Sequence, residues 1–133
     1  MTNQKHNQQI TVAITQTTID RWAVVSGDFN PLHVSQKYAN STPFSGTIAH
    51  GHFALALMER LLMHRFGEAW LYGGQLRDTR FRAPIRPGRS YVAAARRSDH
   101  PGELHVEVRD ADGALCVYGC AVLPSHLIPN QRG

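Results

Sequence analysis

Ile48-Ala49-His50-Gly51-His52-Phe53-Ala54-Leu55-Ala56-Leu57-Met58-Glu59-Arg60-Leu61-Leu62-Met63-His64-Arg65-Phe66 is the one long helical segment of the sequence. Leu55, Leu57, Met58, Leu61, Leu62 and Phe66 leave little polar surface beyond Glu59, Arg60, His64 and Arg65. At about 1.5 Å per residue the segment spans roughly 28 Å, the breadth of a small domain. A helix this apolar needs enclosure on most of its sides. Gly67 closes it.

Everything after Gly67 carries strand signals. Trp70 to Phe81 bears Tyr, Leu and Phe, with Gly73-Gly74 predicting a bend or bulge. Pro84 to Gly88 is a turn, and Ser90–Ser98, Leu104–Arg109 and Ala114–Leu123 follow as strands. Asp110 to Gly113 is the hairpin connection between the last two. Upstream, Ile10 to Thr15 alternates like a half-buried strand. Thr17 or Thr18 is placed to cap a helix over Ile19–Val25 that Gly27 ends, and Asp20 suits its first turn. Ser35 caps a short helix over Gln36–Ala39, and Asn40 to Gly46 is a loop. One strand, a long buried helix and four more strands predict an α+β fold, an antiparallel five-stranded sheet wrapped around that helix. Such a sheet leaves edges that a partner subunit can cover.

The 133 residues suit a single domain, with a core over about residues 10–123 and polar tails at either end. Hydrophobic residues make up 42% and fall in patterned stretches, which excludes a disordered chain. No apolar run approaches the roughly 20 residues of a membrane span. Met1 to Gln9 is polar and lacks a signal peptide's apolar stretch, so a cytoplasmic protein with no membrane partner is expected. Net charge is +4, but Arg77, Arg80, Arg82, Arg86, Arg89, Arg96 and Arg97 alternate with apolar residues rather than cluster. That pattern predicts outward strand faces, some able to meet phosphate groups on a ligand. Without an aromatic-basic motif, no nucleic-acid partner is expected. Cys116 and Cys120 lie two pleats apart on one strand face, too far for an easy disulfide, and read as small buried hydrophobes.

The chemistry concentrates in Ser26-Gly27-Asp28-Phe29-Asn30-Pro31-Leu32-His33. A carboxylate, a carboxamide and an imidazole share one short turn, with Pro31 excluding a continuous helix through it. Asp28 and Asn30 are also turn formers in their own right. At Ile48-Ala49-His50-Gly51 the start of the long helix offers backbone N–H groups beside a glycine. A base, an acid and an oxyanion site can meet where these two stretches converge. His50 alone at a helix start reads first as a structural hydrogen-bonder. His50-x-His52 has no evident third ligand, so no metal is expected.

Gly27-Asp28-Phe29-Asn30-Pro31-Leu32-His33, then Tyr38-Ala39, then Ile48-Ala49-His50-Gly51, resembles the MaoC-like, hotdog-fold (R)-specific enoyl-CoA hydratases. Phe81, Pro84 and Gly88 match that family's F-x-x-P-x-x-x-G stretch, and the resemblance runs from about Ile10 to Leu123. It implies a hotdog domain working as a homodimer on an acyl-CoA or acyl-carrier-protein thioester, with no cofactor. It further implies that Asp28 and His33 activate the water added to a trans-2-enoyl thioester and that Asn30 orients them. The Gly51 N–H would bind the thioester carbonyl. His50, Phe44, Phe53 and Ala56 are the candidate substrate-binding positions, although Phe44, Phe53, Leu57 and Met58 also suit ordinary core.

Two positions depart from the family's pattern. Ala56 stands where these hydratases often carry serine, and Arg89 where an acidic residue is common. Two other functions fit the same fold: a thioesterase, for which Glu59 is the extra carboxylate, and a non-catalytic thioester-binding or partner subunit.

Overall fold

The α4 helix, Gly51–Phe66, buries Phe53, Ala54, Leu57, Met58, Leu61 and Leu62. Enclosing each large apolar side chain contributes about 1.5–3 kcal/mol, and this helix buries five of them, Phe53, Leu57, Met58, Leu61 and Leu62. The computed structural model describes residues 9–128. Ahead of α4 come β1 (Ile10–Ile14), α1 (Gln16–Ser26), α2 (Pro31–Val34) and α3 (Gln36–Asn40). After it come β2 (Gln75–Phe81), β3 (Arg89–Arg97), β4 (Glu103–Asp110) and β5 (Leu115–Val122). The strands form one five-stranded sheet in the order β1-β3-β4-β5-β2, and every neighbouring pair is antiparallel. The α+β architecture read from the sequence is therefore the one observed.

Strand alternation explains how the sheet receives the helix. On β4, Leu104, Val106 and Val108 are buried while His105 is exposed, so one face meets α4 and the other meets solvent. Tyr91 and Ala93 of β3 and Val117 of β5 join the same core as Met58 and Leu61. Arg77, Arg80, Arg82, Arg89, Arg96 and Arg97 are exposed, as their alternation predicted, whereas Arg86 is half-buried. No helix among the described residues is long and apolar enough to cross a membrane.

Several boundaries differ from the sequence reading, each for a physical reason. Thr15, not Thr17 or Thr18, caps α1. Its side chain accepts from the Thr18 N–H, and the Thr18 hydroxyl answers the Thr15 N–H in a reciprocal box. Pro31 ends the turn early by opening α2 as its first residue, a position that needs no N–H donor. The long helix begins at Gly51 rather than Ile48. The Ile48 N–H goes to Leu32 O at 3.4 Å and the Ala49 N–H to Ile85 O at 2.7 Å, which strings this segment between α2 and the sheet's rim.

Trp70 to Gly74 is not strand. Gly67–Leu71 forms a 3-10 turn, and Gly73 takes φ of 107° as the chain reverses into β2. The bulge lies instead between Arg77 and Arg80, where Asp78 has φ of 55°. A side chain on the facing Gly119 would meet Arg77 O and Thr79 Oγ1 at 3.2 Å. Cys116 is buried as expected, whereas Cys120 is only half-buried, with its Sγ 3.5 Å from a Glu103 carboxylate oxygen. Of the C-terminal tail, Ser125–Leu127 forms a 3-10 turn. Residues 129–133, like 1–8 of the N-terminal tail, lie outside the described residues.

Candidate active site

Gly27 ends α1 in the left-handed conformation, with φ of 77°, and turns the chain so that Asp28 follows immediately. The Asp28 Oδ1 accepts the Asn30 N–H at 3.1 Å. Asn30 then caps α2, its Oδ1 taking the Leu32 N–H at 3.0 Å. His33 sits on the helix so capped. Asn30 thus links the carboxylate turn to the element that carries the imidazole.

The orientation of each ring follows from its partners. The His33 Nδ1 is 2.8 Å from Ile48 O. A carbonyl only accepts, so Nδ1 carries the proton and the neutral ring keeps Nε2 as a lone pair. By the same logic His50 donates Nε2–H to Asp28 O at 2.8 Å. Its Nδ1 is buried without a hydrogen-bond partner. The two rings stack with centroids 3.9 Å apart. Burial pushes the His50 imidazole below its ordinary value, since a charge there would be desolvated.

Asp28 and one nitrogen each of His33 and His50 lie within 4.8 Å of one another. Sequence reasoning left His50-x-His52 without a third metal ligand, and the fold gathers Asp28 and His33 around His50 instead. Both oxygens of Asp28 and one nitrogen of each ring are already engaged inside the protein. The Asn30 N–H first, and His52 second, hold the Asp28 carboxyl below the ordinary carboxylate value.

Beside this cluster opens a cleft of about 310 Å³, lined by His33, Phe44, His50, Gly51, Phe81 and Arg82 among others. Gly51 is the first residue of α4, and no side chain caps that end. Its N–H belongs to the first helical turn, where backbone donors are unpaired and the helix dipole is positive. A Cβ at Gly51 would touch the Phe81 ring at 3.3 Å, so glycine keeps the approach to that amide open. Asp28, whose side chain is 40% exposed, is not among the residues lining the cleft. Phe44 does line it. Phe53 packs in the core, edge-on to Trp22 at 5.4 Å, and neither it nor Ala56 borders the cleft.

Three residues of this neighbourhood, Gln16, Trp22 and Thr47, and the contacts of His52 escaped the sequence reading. Gln16 donates to His33 O at 2.8 Å and accepts from the buried Thr47 hydroxyl at 2.6 Å, tying α1, α2 and the lead-in to α4 together. Trp22 donates its indole N–H to His52 Nδ1 at 2.7 Å, and His52 Nε2 lies 3.3 Å from Asp28 Oδ2. No spacing along the chain joins these positions. The doubled histidine of His50-x-His52 was the single visible signal. Glu59, the carboxylate a thioesterase reading would use, accepts the Trp70 indole N–H at 2.5 Å and does not line the cleft.

A family model described as MaoC like domain matches residues 1–111. The chain belongs to the MaoC-like domain family. This MaoC-like chain is 34% identical over 108 residues to an (R)-specific enoyl-CoA hydratase of Aeromonas caviae, covering 77% of this chain and 79% of that one. It is 37% identical over 76 residues to a 3-hydroxybutyryl-CoA dehydratase of Methylorubrum extorquens, which is 56% of this chain and 47% of the relative. The chain thus spans about half the length of that second relative. The solved (R)-hydratase from A. caviae superposes with a TM-score of 0.70 at 28% identity, covering 89% of this chain and 94% of that one. The MaoC-like dehydratase structure from Phytophthora capsici shares the fold at a TM-score of 0.73 and 20% identity, over 93% of this chain and 44% of that one. The fold is the hotdog fold, shared with relatives named as hydratases and dehydratases.

Proposed function

We propose that the protein adds water to a trans-2-enoyl thioester to give the (R)-3-hydroxyacyl thioester, or runs the reverse dehydration. The observation that carries this is the convergence of Asp28, His33 and His50 within 4.8 Å of one another, beside a cleft that also receives the first turn of α4. Hydration needs a base for a water proton, a donor for the α-carbon and a site for the carbonyl oxygen. Asp28 and His33 hold the water. As its oxygen bonds to C3, one proton passes to this pair and the C2=C3 electrons move toward the thioester oxygen. The Gly51 N–H stabilises that oxygen, a kind of contribution worth roughly 10²–10³ in rate. The pair then returns a proton to C2, which completes addition of H and OH. Positioned proton transfer contributes roughly another 10²–10⁴.

The exposed Arg82 lines the cleft, in reach of the phosphate-bearing arm of coenzyme A or of an acyl-carrier protein. The form proposed is a cytoplasmic homodimer of one hotdog domain per chain, needing neither cofactor nor metal. A thioesterase finds less support, because Glu59 is committed to Trp70. The test is loss of enoyl ultraviolet absorbance on mixing with crotonyl-CoA, followed by chiral analysis of the product. Loss yielding (R)-3-hydroxybutyryl-CoA is expected. Binding without turnover across short, long and branched enoyl thioesters would overturn the reading in favour of a partner subunit, and release of free thiol would favour a thioesterase.

A further inference from the structure

His52 is the second residue of α4 and its side chain is 44% exposed, a place where a polar group ordinarily faces water. Here both ring nitrogens are engaged instead. Trp22 Nε1–H donates to Nδ1 at 2.7 Å, and an indole nitrogen can only donate, so Nδ1 must present its lone pair. The neutral ring therefore carries its proton on Nε2, the nitrogen 3.3 Å from Asp28 Oδ2. The indole sets the tautomer, and the tautomer makes His52 a donor to the carboxylate. Trp22 is itself fixed by the core through its edge contact with Phe53. Asp28 is then held at both oxygens, by the Asn30 N–H on one side and His52 on the other.

We propose that His52, locked by Trp22, is a positioning residue that fixes the Asp28 carboxylate in the orientation the water-adding step uses. The inference rests on Asp28 handling the water proton. Titratable groups facing Asp28 are His33 from α2, His50 at the cap of α4 and His52 itself, while α1 contributes the uncharged Ser26 and Trp22. Removing His52 leaves the other two histidines and the Asn30 contact in place, so one hydrogen bond is removed selectively.

The test compares wild type, His52→Leu, His52→Gln and Trp22→Phe by two readouts: the pH profile of crotonyl-CoA hydration and the ¹³C NMR titration of the Asp28 carboxyl. In His52→Leu the carboxyl midpoint and the acid limb are expected to rise together by roughly half to one pH unit, the effect of losing one hydrogen bond to the charged form. Above the limb kcat is expected to fall roughly tenfold through misorientation, with KM changed less than about twofold. Gln, which can accept from Trp22 and donate to Asp28, is expected to restore most of both. Trp22→Phe keeps an aromatic ring against Phe53 but frees the tautomer, and is expected to move both readouts in the Leu direction. An unmoved profile and titration in His52→Leu, or equal losses in Leu and Gln, would overturn the proposal. Full activity in Asp28→Asn would instead fail the hydration reading itself, and the NMR titration, which needs no turnover, separates that failure from loss of the His52 contact.

Discussion

His50 shows how a buried imidazole couples this site to stability. Its ring is 1% exposed, donates to Asp28 O and keeps an unpartnered nitrogen. Burial lowers its folded value below 6.5. Between that value and 6.5 the unfolded chain binds the proton that the folded chain refuses, so stability is full above pH 6.5 and is lost as pH falls through the folded value. Thermal melts from pH 7.5 down to pH 5 are expected to show this decline, and His50→Gln, which can still donate to Asp28 O, to remove part of it. An identical slope in the variant would place the acid sensitivity elsewhere. Of the site's residues, Asp28, Asn30 and His33 were legible because they share one short stretch. The Trp22–His52 contact was not, since 30 residues separate its partners and only the packing of α1 beside α4 brings them together.

At the scale of elements, α4 was legible as the buried axis, but its start was not. Ile48 and Ala49 extend the apolar pattern of the helix. Their N–H groups go to Leu32 O and Ile85 O, and those long-range bonds hold the segment outside the helix. The difference matters, because it makes Gly51 the first helical residue. Gly51→Ala puts a methyl group 3.3 Å from the Phe81 ring, a flexible side chain that can yield. Stability is expected to change by less than about 1 kcal/mol, within the range of mutations that meet no rigid neighbour. Hydration is expected to fall roughly tenfold or more, because the methyl group obstructs approach to the amide. A melt and a rate measurement on the same sample check both halves, and unchanged turnover would remove Gly51 from the oxyanion role. Trp70 to Gly74 misled in the opposite sense. Its aromatic, strand-like composition serves a 3-10 turn in which the Trp70 ring is buried and the Gly74 N–H reaches back to Trp70 O at 3.0 Å.

For the whole molecule, the sheet order β1-β3-β4-β5-β2 leaves β1 and β2 with one strand neighbour each. Phe81 ends β2, is 55% exposed and lines the cleft, so a second copy covering that rim would also close the site. Size-exclusion chromatography with light scattering is expected to give about twice 14.8 kDa. A monomer mass at working concentration would contradict the proposed dimer. In the proposed reaction the Asp28–His33 pair, with Gly51 beside it, adds water to an enoyl thioester. Its most direct test is the initial rate of absorbance loss with crotonyl-CoA for wild type against Asp28→Asn, which keeps the size of the side chain and removes its charge. Rapid loss in the wild type and a fall of about 10²-fold or more in the variant are expected. Equal rates in the two proteins would contradict it.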